Sequence, residues 1–218
     1  ADAIIYQGKS RDAISEQVQK AIITASAAMG VRDLPANIAK SAAAETAPLV
    51  VVTDSLGSKI VFDAIYKLTM SGNTDLRAAG SRTFARTSEI FMRANQMPVL
   101  GLADQTLEGK VSLRSDRFDY PADPLAALIG LKTKRKMGAI MTPPRVVAFT
   151  DPNDLLSYTL VPATQLADYD VVDVVVSNAN TYFGFLENPL PAHQGYRNNK
   201  TVLRLIACGS PSADACKR

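Results

Sequence analysis

The sequence predicts an α/β protein, with a mostly parallel sheet flanked by helices on both faces. Three observations carry this. Apolar, β-branched runs at Leu49–Val52, Arg145–Thr150 and Val171–Val176 are separated by stretches with helical spacing, the alternation expected of a parallel sheet. The first run is apolar at every position, as in a strand buried on both faces. Its continuation places Ile60, Val61, Ala64, Ile65 and Leu68 on one face of a helix, and only Thr53 to Gly57 remain to connect strand and helix.

In chain order, Ala3–Tyr6 is a short apolar stretch that reads as an edge strand or an extended lead-in. Ser10 suits a helix N-cap, with Asp12 in the first turn. Ile14, Val18, Ala21, Ile22 and Ala25 then line one helical face, which ends near Gly30. Residues 31–47 hold a linker or an Ala-rich helix from Ile38 to Ala44. The helix after Leu49–Val52 ends near Ser71-Gly72-Asn73. Residues 75–88 read as helical. Glu89–Met92 reads as a strand, with a turn at Asn95-Gln96. Residues 104–122 carry many charges, Pro124–Leu131 reads as a short apolar helix, and 104–142 together form a candidate lid or insertion. Arg145–Thr150 is a strand, and Asp151-Pro152-Asn153-Asp154 is a turn. Tyr169–Ser177 contains the strongest strand pattern in the chain. His193 follows in a Pro-punctuated loop, and a final helix runs from about Asn198 to Ala207.

Composition bounds the function. With 218 residues and 47% hydrophobic content, one domain spanning 1–218 with a full core is expected. A net charge of +3 spread along the chain does not form the basic footprint of a nucleic-acid binder. The run Lys132, Lys134, Arg135, Lys136 reads as a solvated helix end. No apolar segment approaches the ~20 residues of a membrane span. The two cysteines, Cys208 and Cys216, fit no zinc pattern. They suit either a small disulfide loop or two free thiols. A disulfide would favour an extracytoplasmic compartment, periplasmic or secreted. No metal and no organic cofactor is implied.

The chemistry centres on Thr53-Asp54-Ser55-Leu56-Gly57. A chain that passes from strand to helix in so few residues must bend sharply and expose the residue at the apex, here Ser55. A serine hydroxyl is a weak nucleophile and needs a base. The chain has a single histidine, His193, so the base is decided by elimination. The strand Arg145–Thr150 delivers two carboxylates, Asp151 and Asp154, and either could orient that histidine.

These residues resemble the α/β-hydrolase family. The pentapeptide is similar to its nucleophile elbow, Gly-x-Ser-x-Gly, with Gly57 in the second glycine position and Thr53 in place of the first. The order Ser55, acid, His193 is that of the family's triad, with the histidine between the last strand and the C-terminal helix. The phrases Thr53–Ser58, Ala94–Pro98 and Ala192–Tyr196 also resemble a bacterial esterase- or lipase-like branch. The resemblance covers roughly residues 10–207. It implies a serine hydrolase that cleaves a small-molecule carboxylic ester, with Ser55 as nucleophile, His193 as base and Asp154 as acid. Asp154 sits better than Asp151 in the family's small-x-x-Asp turn, and Asp151 stands as the alternative acid. Leu56 N–H would form half of the oxyanion hole.

Two departures qualify the resemblance. Only 54 residues precede Ser55, without the family's first strands or its upstream oxyanion loop. An N-terminal segment or another subunit is therefore expected to complete the sheet and supply the second oxyanion donor. A non-catalytic relative acting as a binding or scaffold module is the rival reading. A receiver-like domain with Asp54 as its reactive group would leave Ser55 and His193 without a role.

Overall fold

The computed structural model describes residues 2–27, 37–102, 118–134, 143–160, 170–183 and 186–209. They build an α/β fold on a four-stranded sheet of order β1-β2-β3-β4. The strands are β1 (Leu49–Asp54), β2 (Thr87–Arg93), β3 (Arg145–Thr150) and β4 (Val171–Val175). Every neighbouring pair is parallel, so all four strands present their C-terminal ends on one side of the molecule, where loops can converge.

The helices in order are α1 (Asp2–Gln7), α2 (Arg11–Ala27), α3 (Ile38–Ala44), α4 (Gly57–Thr69), α5 (Thr74–Ala85), α6 (Met97–Gly101), α7 (Pro124–Lys134), α8 (Pro189–Gln194) and α9 (Lys200–Cys208). The larger core joins Phe62 and Ile65 of α4 to Ile90 and Met92 of β2, Val146 and Ala148 of β3, and Leu125, Leu128 and Ile129 of α7. Ile23 and Ala27 of α2, Ala42 of α3, Leu68 of α4 and Ala79 of α5 form a second cluster. On the opposite face, Phe91, Phe149 and Val176 pack against Tyr196 and Val202, so α9 covers the sheet there. None of the described helices is long and apolar enough to cross a membrane.

Several local expectations are corrected. Ala3–Tyr6 lies in helix α1, not in a strand; a four-residue apolar run does not separate the two periods. The buried side of α2 holds Arg11, Ser15, Ile23, Ser26 and Ala27, whereas Ala21 is exposed. Polar residues take inward positions because partners await them: Ser26 Oγ lies 3.2 Å from Thr83 Oγ1, and Arg11 Nη2 donates to Asp63 at 2.6 Å. Strand β1 is not buried on both faces. Val50 and Val52 are 53% and 42% exposed, because they share the face on which α9 packs farther along, over β3 and β4. Of the span 104–142, the part from Phe118 to Lys134 belongs to the packed body, since Leu125, Leu128 and Ile129 are core residues. The lid expectation otherwise falls outside the described residues.

A buried charge cluster fixes α4, the helix that begins at the elbow. Asp63 accepts from Tyr6 Oη at 2.7 Å, Arg11 Nη2 at 2.6 Å and Lys59 Nζ at 3.1 Å. Lys59 also donates to the carbonyls of Pro121 and Ala122 at 2.9 and 3.3 Å. Burial, then the neighbouring Asp63 charge, pushes the Tyr6 hydroxyl far above its ordinary pKa. Helices α1 and α2 and the segment before α7 are thus tied to α4 by charge-assisted bonds.

Candidate active site

Ser55 sits between β1 and α4 with φ +51°. That left-handed conformation strains a residue with a side chain. Ser55 N–H still donates to Arg93 O at 2.8 Å, continuing the β1–β2 ladder, and its carbonyl accepts from Ser58 N–H at 3.2 Å. The chain therefore leaves the sheet and enters the helix within one residue. Thr53, which stands where a glycine is usual, is buried and accommodated: its Oγ1 lies 3.1 Å from Ser58 Oγ in the first turn of α4. A methyl group added at Gly57 would meet nothing within 4 Å, so the described structure does not require a glycine there.

The structure brings three of the expected residues together. Ser55 Oγ lies 3.1 Å from His193 Nε2. His193 Nδ1 lies 2.9 Å from each carboxylate oxygen of Asp154. His193 is in the short helix α8 and not in a loop; Pro189 in the first turn and the Asn188 side chain, which accepts from Leu190 N–H, explain why this Pro-rich segment coils. Asp154 is 3% exposed. Its Oδ1 also accepts from Leu156 N–H at 3.0 Å, and its Oδ2 from Tyr196 Oη at 3.1 Å. Two donors thus aim one carboxylate at one imidazole nitrogen. Leu56, the cap residue of α4, stands at the start of a 13-residue helix, so its N–H lies at the positive end of the helix dipole.

Asp151 does something else. Its Oδ1 accepts from Asn153 N–H at 2.9 Å and its Oδ2 from Asn178 N–H at 2.8 Å. It shapes the turn and ties it to the segment leaving β4. Burial, and secondarily the neighbouring Glu187 carboxylate, raises its pKa. Glu187 is itself held below its ordinary value: burial opposes this, but hydrogen bonds from Ser177 Oγ and Ala179 N–H outweigh it. A carboxyl whose pKa is raised by folding stabilises the fold fully below its unfolded pKa and loses that contribution as pH rises through the folded value. Asp151→Asn carries no such charge. Its stability relative to the parent should therefore rise between pH 4 and pH 8, read from urea midpoints at several pH values; a difference that is flat or falling over that range speaks against the buried-carboxyl account.

Sequence reasoning missed the supports. Tyr196, 1% exposed, donates to Asp154 and accepts from Asp151 N–H at 2.7 Å, so one hydroxyl fixes both turn residues. Burial raises its pKa far above the ordinary tyrosine value. Asn178 Nδ2 donates to Ala192 O at 2.9 Å, joining the end of β4 to α8. Gly195 lets the two backbones meet: a Cβ there would come within 2.6 Å of Asn178 O and Asn178 Cβ. The cue was present in the polar punctuation Asn178, Asn188, Asn199 and in the Gly195-Tyr196 pair beside the single histidine.

A pocket of about 350 Å³ opens beside Ser55, lined by Asp54, Ala94, His193, Tyr196 and Arg197 among others. No group of histidine, cysteine or acidic side chains among the described residues could hold a metal ion. Cys208 is disulfide-bonded, and Cys216 lies outside the described residues. No protein-family model, curated protein or solved structure matches the chain.

Proposed function

We propose that the chain is a serine hydrolase of the α/β-hydrolase type that cleaves carboxylic esters through a covalent acyl-enzyme. The observation that carries this is the continuous relay Ser55 Oγ, His193 Nε2, His193 Nδ1, Asp154, with links of 3.1 and 2.9 Å. The strained apex at Ser55 and the strand–Ser–helix, strand–Asp, strand–His order support it.

In this mechanism Ser55 Oγ attacks the ester carbonyl as its proton passes to His193 Nε2. Asp154 holds the imidazole with Nδ1–H toward itself and stabilises the imidazolium. Negative charge on the carbonyl oxygen is met by Leu56 N–H at the positive end of α4. His193 then returns the proton to the leaving alkoxide, which departs as an alcohol. Water repeats the sequence: it attacks the acyl-Ser55 carbonyl, gives one proton to His193, and the acid is released as Ser55 Oγ is reprotonated. No cofactor enters any step. A fluorophosphonate probe should label wild-type protein once, at Ser55, by intact-mass and peptide analysis. Absence of labelling in the folded protein would favour the non-catalytic, scaffold reading.

The reading includes a further β-segment, from an upstream stretch or another subunit, beside β1. Leu49 N–H donates to Arg86 O, the residue before β2, and Ser55 N–H to Arg93 O at the end of β2. The alternate residues Val50, Val52 and Asp54 therefore direct their backbone groups to the outer edge, a template for strand addition. Such a segment would carry the second oxyanion donor, worth ~3 kcal/mol in the transition state. Light scattering combined with esterase assays tests it: residues 1–218 should be associating or weakly active alone, and a monodisperse, fully active monomer excludes it.

A further inference from the structure

Asp54 and Arg93 are register partners at the ends of β1 and β2. Arg93 Nη2 donates to Asp54 Oδ2 at 2.8 Å, and its Nε lies 2.7 Å from Oδ1 without hydrogen-bond alignment. This close ion pair neutralises the carboxylate. A second guanidinium nevertheless arrives at the same group: Arg197 Nε lies 3.3 Å from Asp54 Oδ2. Two cations thus share one anion, so the pairing of Arg197 with Asp54 is dispensable to the neutralisation of that carboxylate. Arg197 is held loosely, since its side chain is 71% exposed. An exposed pair of this kind is weak, so its fork can turn to a ligand at little cost. The three-ten turn Gly195–Arg197 sets its position, with Tyr196 turned inward onto Asp154 and Arg197 outward into the pocket. Among the described residues lining that pocket, Asp54 is the single carboxylate and Arg197 the single arginine.

We infer that Arg197 is a specificity-determining residue that selects esters bearing a second, negatively charged carboxylate, such as half-esters of short dicarboxylic acids. This rests on the hydrolase reading above. The pocket volume of about 350 Å³ limits the acyl part to a short chain, and a planar guanidinium matches a carboxylate with two parallel bonds.

The experiment compares the mono-p-nitrophenyl ester of glutaric acid with the p-nitrophenyl ester of its monoamide, which is isosteric and neutral. Wild type should show a kcat/KM ratio of about tenfold or more in favour of the acid. Arg197→Gln should reduce that ratio about tenfold, and Arg197→Glu should invert it. Taking a ratio removes any general loss of folded enzyme. The preference should also shrink between low and high salt. Turnover of both esters with equal ratios in wild type and Arg197→Gln overturns the inference and leaves the hydrolase reading standing. If neither ester is hydrolysed and Ser55 takes no fluorophosphonate label, that reading falls; in either case calorimetric titration with glutarate still decides: binding weakened in Arg197→Gln supports the anion site, and absent or unchanged binding overturns it.

Discussion

Replacing Ser55 by alanine is expected to lower kcat for a short p-nitrophenyl ester by a factor of about 10⁴ to 10⁶, with the fold retained. The hydroxyl is the atom 3.1 Å from His193 Nε2, and the substitution removes it while keeping the Cβ. The residual rate should be ~10³ above the uncatalysed reaction, from binding and the helix end alone. His193→Ala should fall to a similar level, and the double variant should be scarcely worse, because nucleophile and base act as one unit. Backbone strain offers a control. At φ +51° a glycine is more comfortable than alanine, so Ser55→Gly should be equally inactive but more stable than Ser55→Ala by about 1 kcal/mol. Turnover by Ser55→Ala near the wild-type rate would falsify the relay.

Asp154→Asn should lower kcat by about 10⁴ with a modest effect on folding. An asparagine can keep its carbonyl oxygen toward Leu156 N–H, which now donates to Oδ1 at 3.0 Å. Its amide would then face His193 Nδ1 as a donor. The imidazole would have to hold its proton on Nε2, facing Ser55, and could no longer accept the hydroxyl proton. The loss should therefore appear in kcat more than in KM. Asp151→Asn should spare kcat, since the Asp151 oxygens are taken by Asn153 and Asn178 and not by the histidine. The reverse pattern would make Asp151 the acid.

The central strand–turn–helix, the strand Arg145–Thr150 and the single histidine were legible in the sequence. Each is a short-range signal: an apolar run, a helical spacing, a residue type with one representative. The bend at Ser55 followed from counting residues between two elements. The choice between Asp154 and Asp151 was far less legible. Both lie in one turn, three residues apart, and which carboxylate faces the imidazole depends on Tyr196, 42 residues farther on. Likewise, the segment of α8 reads as a loop in the sequence because its two prolines mask a helix whose first turn tolerates them.

By itself, then, the sequence determined the class of fold, the position of the apex serine and the one histidine that could meet it, because local periodicity and scarcity of residue types leave few options. Only the tertiary structure decided which acid meets His193, that β1 is an edge strand among the described residues with Val50 and Val52 exposed, and that Arg93 and Arg197 converge on Asp54. These are contacts between segments distant along the chain. They are set by strand register and by close backbone approaches such as that of Gly195 to Asn178, and no local pattern encodes them.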